Sequence, residues 1–150
     1  MPRIFVLIAA LCCVLDVSAA QREPRHGDDG IVASRSYFAS VVGASILRGG
    51  GNAVDAAVAV GFALAVTHPS AGNLGGGGFM VIRMADGTAI TNDHREKAPA
   101  AASRDMYLDG DGNVVEGLST HSHLAVGVPG TVAGLLDVLE KYGTMSRKEV

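Results

Sequence analysis

The sequence predicts an α+β fold. Three observations predict it: two consecutive helical patterns, the second almost free of charge; one pair of strands joined by a tight turn; and no regular alternation of strand and crossover helix. Buried helices packed on a hairpin-connected sheet fit that order, and a doubly wound parallel sheet does not.

The elements follow along the chain. Ile31-Val32-Ala33 is a short strand candidate. Over 36–48, Phe38, Val41, Val42 and Ile46 recur at helical spacing. Gly49-Gly50-Gly51 ends that helix, because glycine takes the left-handed capping conformation without penalty. Asn52 is placed to cap a second helix over 53–66, with Asp55 in its first turn, where the helix dipole favours a carboxylate. The rest of that helix is apolar all round, which predicts burial all round. Gly61 costs about 1 kcal/mol against alanine in a helix interior, so it is expected to permit a close contact. His68-Pro69 stops the helix.

A glycine-rich loop over 70–78 leads into a strand over 79–84. Asp86-Gly87 makes the hairpin turn, and a return strand spans 88–92. Residues 103–108 read as a weak helix, and Asp109 to Asn113 as a turn. A last helix starts at Pro129-Gly130-Thr131 and closes at Gly143. Val132, Leu135, Leu136, Leu139 and Tyr142 line one of its faces, and Asp137, Glu140 and Lys141 the other.

Of the 150 residues, 48% are apolar and 18% charged, an ordinary globular balance. The formal net charge is −3 and no basic stripe appears, so nothing points to a nucleic-acid partner. Residues 1–20 read as a secretory signal peptide. Arg3 supplies the positive start, 4–15 an apolar run, and Val17-Ser18-Ala19-Ala20 a small-residue cleavage site. An uncleaved anchor or a buried first strand are the alternatives. The run is shorter than the about 20 residues a bilayer span needs, so no stable membrane span is expected. This predicts a periplasmic or secreted protein. Both cysteines, Cys12 and Cys13, fall inside the segment, which leaves the mature chain without a disulfide or a thiol nucleophile. Residues 21–29 read as a flexible mature N-terminus. At the other end, Ser146 and Glu149 form a capping-box pattern that opens a helix, so the sequence is expected to continue past Val150.

Candidate chemistry is sparse. Gly75 to Gly78 follow a helix and enter a strand, the reverse of a dinucleotide-binding loop, so close approach of two backbones is the better reading. Asp109, Asp111 and Asn113 mimic half a calcium loop, but Val114 and Thr120 stand where glycine and glutamate are required. His121 and His123 lack a third ligand, so no metal is expected. Arg95, just past a strand end, can grip a carboxylate through two parallel hydrogen bonds, or can form a surface ion pair with Asp93 or Glu96. No Ser/Thr nucleophile stands in a G-x-S-x-G elbow.

Several stretches together carry a resemblance. They are Gly49-Gly50-Gly51-Asn52-Ala53-Val54-Asp55-Ala56-Ala57, Gly72-Asn73-Leu74-Gly75-Gly76-Gly77-Gly78-Phe79-Met80, Arg95-Glu96-Lys97-Ala98-Pro99, Arg104-Asp105-Met106-Tyr107, Gly127-Val128-Pro129-Gly130-Thr131-Val132-Ala133-Gly134, and Lys141-Tyr142-Gly143-Thr144-Met145. In content, order and spacing the chain resembles the gamma-glutamyltranspeptidases over 30–150, the N-terminal part of their large subunit. His94 stands where the family pattern has an aromatic residue.

The resemblance implies an N-terminal nucleophile hydrolase fold, an αββα sandwich of which this stretch is an incomplete part. It implies a proenzyme that cuts itself into two subunits, with the new N-terminal Thr of the small subunit as nucleophile. That Thr lies outside these residues, so no catalytic residue is expected here and the chain alone is expected to be inactive. The implied reaction moves a gamma-glutamyl group from glutathione or another gamma-glutamyl amide to water or to an acceptor amino acid or peptide, without a cofactor. The implied partners are those substrates and the protein's own small subunit. Arg95 takes the position that binds the substrate α-carboxylate. A related acylase acting on cephalosporins or poly-gamma-glutamate, and a non-catalytic homologue, remain alternatives.

Overall fold

A computed structural model describes residues 25–71 and 73–150. The signal-peptide segment, both cysteines and residues 21–24 of the polar N-terminal stretch lie outside the described residues, as does Gly72.

Helix α1 spans Tyr37–Arg48. Ser36 caps it in an extended conformation, its hydroxyl accepting from the Ala39 N–H at 3.5 Å. The chain leaves the helix through Gly49 and Gly50, the latter at φ 92°. Helix α2 spans Ala53–Thr67 and opens on a reciprocal capping box. The Asn52 side chain accepts from the Val54 and Asp55 N–H groups at 2.8 and 3.0 Å, and the Asn52 N–H donates to Asp55 at 2.7 Å. Strands β1 (Phe79–Arg83) and β2 (Ala89–Asp93) form an antiparallel pair with Phe79 opposite Asp93 and Arg83 opposite Ala89. The turn between them needs Gly87 at φ 91° and is tied by the Thr88 N–H to the Asp86 carboxylate at 2.8 Å. A short helix α3 (Leu118–His121), a 3₁₀ turn (His123–Ala125) and helix α4 (Thr131–Tyr142) complete the described elements.

Helix α4 packs against both α2 and β2, and the core forms where they meet. Val54 and Val58 come from α2, Ile82 from β1, and Leu135, Val138 and Leu139 from α4. Strand alternation turns Met80, Ile82 and Ile90 toward this core and Phe79 and Val81 away from it. Gly61 permits the close contact expected of it: an added side-chain carbon there would stand 2.9 Å from a Leu135 methyl.

Asp55 fastens the two ends of this core together. It is wholly buried, and its carboxylate accepts from the Asn52 N–H, the Thr144 N–H at 3.0 Å, the Thr144 hydroxyl at 2.7 Å and the Met145 N–H at 3.1 Å. Burial pushes its pKa up, but the Thr144 hydroxyl and the surrounding backbone N–H groups outweigh that and hold it below the ordinary carboxylate value. The Asn52 side-chain amide also donates to the Tyr142 carbonyl at 2.8 Å, so the start of α2 is tied to the end of α4 twice.

Several expectations are corrected. Residues 31–33 form no strand, because no strand among the described residues lies beside them; Val32 instead packs against Gly43. On α1 the buried residues are Ala39 and Gly43, while Phe38, Val41 and Val42 face outward. Small residues let α1 lie close on α2, with Val60 filling the space at Gly43. Helix α2 is not buried all round: Val54, Asp55, Ala56, Val58 and Ala59 are buried, but Ala53 and Ala57 are exposed and Val66 is 81% exposed. Residues 103–108 make turns rather than a helix. On α4, Val138 is wholly buried and Val132 is not, so the core stripe lies one step further round than the apolar pattern indicated. Ser146 and Glu149 make their side-chain bond at 2.6 Å within a turn, not a helix.

Candidate functional site

The chain leaves β2 at Asp93 and turns sharply, with the Asp93 carboxylate accepting from the Arg95 N–H at 3.0 Å. That turn places Arg95 at the edge of the sheet with its side chain 60% exposed. The guanidinium is held on two sides. Its Nε donates to Glu96 at 3.0 Å, and its central carbon lies 5.8 Å from the centroid of the Phe79 ring, within cation–π range. Of the two readings of Arg95, the geometry bears directly on the ion pair. The ion pair with Glu96 forms, and it uses the inner edge of the guanidinium. The outer pair of nitrogens takes no partner among the described residues. A guanidinium with those two nitrogens open can receive a carboxylate through parallel hydrogen bonds.

Glu96 is itself anchored. Its own backbone N–H, the Arg95 side chain and the Gly77 N–H all favour its charged form and hold its pKa below the ordinary value. His94, before Arg95, turns back onto the sheet, with its Nδ1 2.7 Å from the Asn92 side-chain oxygen. Asn92 in turn reaches Asp137 on α4 at 3.5 Å, and Asp137 pairs with Lys141.

The main chain of this segment is gripped from both sides. His94 exchanges two backbone bonds with Gly78, and Lys97 exchanges two with Val128. Behind them the Gly130 and Thr131 N–H groups both donate to the Gly76 carbonyl, at 2.9 and 3.1 Å. Thus the glycine-rich loop and the start of α4 are bonded to each other and to the segment that carries Arg95. This is the close backbone approach that the glycine-rich loop was expected to make. A cleft of about 390 Å³ lies beside it, lined by His94, Arg95, Lys97, Pro129, Ala133 and Asp137 among others.

The remaining candidates fall elsewhere. Asp109 spends its carboxylate on the N–H groups of Asp111 and Asn113, at 2.9 and 2.8 Å, as a turn residue does. His121 ends α3 and His123 starts the 3₁₀ turn, so the two do not share a strand face. A Thr120 hydroxyl lies 2.9 Å from the His121 ring, but the two are chain neighbours and both are exposed. The Glu96 partner was among those the sequence offered, but the place of Phe79 beside Arg95 escaped it. The approach of Phe79 depends on the β1–β2 register, which sets Phe79 opposite Asp93.

Comparison with known proteins identifies the family. The family model described as gamma-glutamyltranspeptidase matches residues 39–150. The glutathione hydrolase proenzyme of Pseudomonas sp. (strain A14) is 55% identical over 146 residues, covering 97% of this chain and 25% of that protein. The glutathione hydrolase proenzyme of Escherichia coli (strain K12) is 59% identical over 127 residues, covering 85% of this chain and 22% of that protein. Among solved structures, the Helicobacter pylori gamma-glutamyltranspeptidase superposes with a TM-score of 0.77 at 54% identity, over 82% of this chain and 35% of that one. The fold is thus a part of the layered α+β architecture of the N-terminal nucleophile hydrolases. The chain belongs to the gamma-glutamyltranspeptidase family. It spans about a quarter of the length of the curated relatives it matches.

Proposed function

We propose that the protein carrying this chain transfers the gamma-glutamyl group of glutathione and other gamma-glutamyl amides to water or to an acceptor amino acid or peptide. The observation that carries this reading is Arg95, exposed at a strand end with its inner edge on Glu96, its face near Phe79 and its outer edge open among the described residues. That arrangement suits the α-carboxylate of a gamma-glutamyl donor. Family membership and the names of the relatives support the same reaction.

In this reading the nucleophile is an N-terminal Thr outside these 150 residues, exposed when the proenzyme cuts itself in two. Its hydroxyl attacks the gamma-carbonyl carbon, and its own α-amine takes the proton. The resulting oxyanion needs hydrogen-bond donors, also supplied from outside this stretch. The amide C–N bond breaks, the amine leaves with the proton, and water or an acceptor amine then attacks the ester. Arg95 contributes binding and orientation, not proton transfer. The charge, apolar core and small-residue order of 1–20 supports export to the periplasm or the medium.

The test is the full-length protein and its Arg95→Ala variant. Both should run as two chains on a denaturing gel, and the variant should show a KM for a gamma-glutamyl anilide at least about 30-fold higher, the loss expected when one partner of a charged pair is removed. A variant with wild-type KM refutes the role of Arg95. A wild-type protein that stays one chain and hydrolyses no gamma-glutamyl amide refutes the reaction.

A further inference from the structure

Gly77, Gly130 and Gly134 stand around the main chain of His94, Arg95 and Glu96. Gly77 comes from the loop before β1, and the other two from the start of α4. A side-chain carbon built on Gly77 would fall 2.6 Å from the His94 carbonyl oxygen, 2.8 Å from the Glu96 nitrogen and 2.9 Å from the Arg95 carbonyl carbon. One built on Gly130 would overlap the His94 carbonyl and stand 2.9 Å from the Arg95 oxygen. One built on Gly134 would overlap the first two side-chain carbons of His94. The obstacles at Gly77 and Gly130 are backbone atoms, which cannot swing aside as the tip of a long side chain can. Gly110, by contrast, has nothing within 4 Å.

We propose that Gly77, Gly130 and Gly134 are positioning residues for donor recognition: their missing side chains fix the place from which Arg95 meets the donor α-carboxylate. The inference rests on the carboxylate role proposed for Arg95. The same backbone that these glycines touch is bonded to Gly78 and Val128 on either side, so it cannot retreat freely. An alanine at Gly130 must therefore move the Arg95 backbone, the α4 terminus or both by on the order of 1 Å, and misplacement on that scale costs about 100-fold in rate. The damage falls on recognition of the α-carboxylate. A donor without that charge has no such contact to lose.

The experiment uses the full-length mature enzyme and two gamma-glutamyl anilides, one with a free α-carboxylate and one with an α-carboxamide. The ratio of their kcat/KM values measures carboxylate recognition. Gly130→Ala and Gly77→Ala should each lower that ratio at least about tenfold, toward the value of Arg95→Ala, while the carboxamide donor changes little. Gly110→Ala should keep the wild-type ratio. Gly77→Ala, with the mildest overlap, keeps the test open if Gly130→Ala does not mature. Variants that keep the ratio, or lose activity on both donors equally, overturn the inference. So does failure of both variants to mature, which would make the role purely structural. If Arg95→Ala itself keeps the wild-type ratio, the carboxylate reading fails and takes this inference with it.

Discussion

Asp55→Asn tests the packing account most sharply. The substitution keeps the size and shape of the side chain and replaces one carboxylate oxygen by an NH₂ group. In either amide orientation that NH₂ faces donors. On one side stand the Thr144 and Met145 N–H groups, and on the other the Asn52 N–H and the Thr144 hydroxyl. The hydroxyl can rotate and accept, so the second orientation is preferred. It still leaves the Asn52 N–H unpaired in a site closed to water, at about 1–3 kcal/mol. The remaining bonds also lose their charge assistance, which adds about 1 kcal/mol. The expected loss is thus about 2–4 kcal/mol, or about 30- to 700-fold in the local opening equilibrium. Hydrogen exchange at the Thr144 and Met145 amides of the full-length protein reads it directly. Exchange within twofold of wild type would refute the view that this carboxylate holds α2 to α4. The pH dependence has a definite sign. The folded-state pKa of Asp55 is lowered, so its stabilising effect is present above the ordinary value of 3.8 and is lost as pH falls through the depressed value. The stability gap between wild type and Asp55→Asn should therefore close only below about pH 4, measured by urea midpoints.

Three further outcomes are expected. Val138→Ala, at a wholly buried site between α2 and the sheet, should cost about 2 kcal/mol in a urea melt, and a loss under about 0.5 would show that the site collapses around the missing methyls. Asn52→Ala removes the cap of α2 and its bond to Tyr142, so it should cost about 1–2 kcal/mol and speed amide exchange at Val54 and Asp55. Phe79→Leu removes the ring beside the Arg95 guanidinium and should raise donor KM about two- to fivefold with kcat unchanged, while Phe79→Tyr should restore it. An unchanged KM in the leucine variant would take the ring out of the account.

Much of the local structure was legible because it is written in adjacent residues. Asn52 and Asp55 announce a capping box, Asp86-Gly87 a hairpin, and Pro69 a helix end, and each works over a few positions of chain. What was not legible depends on partners far away in sequence. The buried side of α1 is chosen by the fit of Gly43 against Val60, which beats the larger apolar residues on the other side. Residues 103–108 carry their apolar side chains consecutively, at Met106, Tyr107 and Leu108, rather than at helical spacing, and Leu108 bridges to Val114, so they remain turns. Arg95 could be singled out by its motif and its place after a strand. Its supports could not, because Phe79 reaches it through strand register, and Gly130 and Gly134 come from a helix more than thirty positions further on.

The central claim is that Arg95 reads the donor α-carboxylate, and competitive inhibition by free glutamate and by its α-amide measures it most directly. In the mature wild-type enzyme, glutamate should inhibit at least about 30-fold more tightly than the α-amide, and in Arg95→Ala the two should inhibit alike. Equal inhibition in the wild type, or a preference for glutamate that survives the loss of Arg95, would contradict the account.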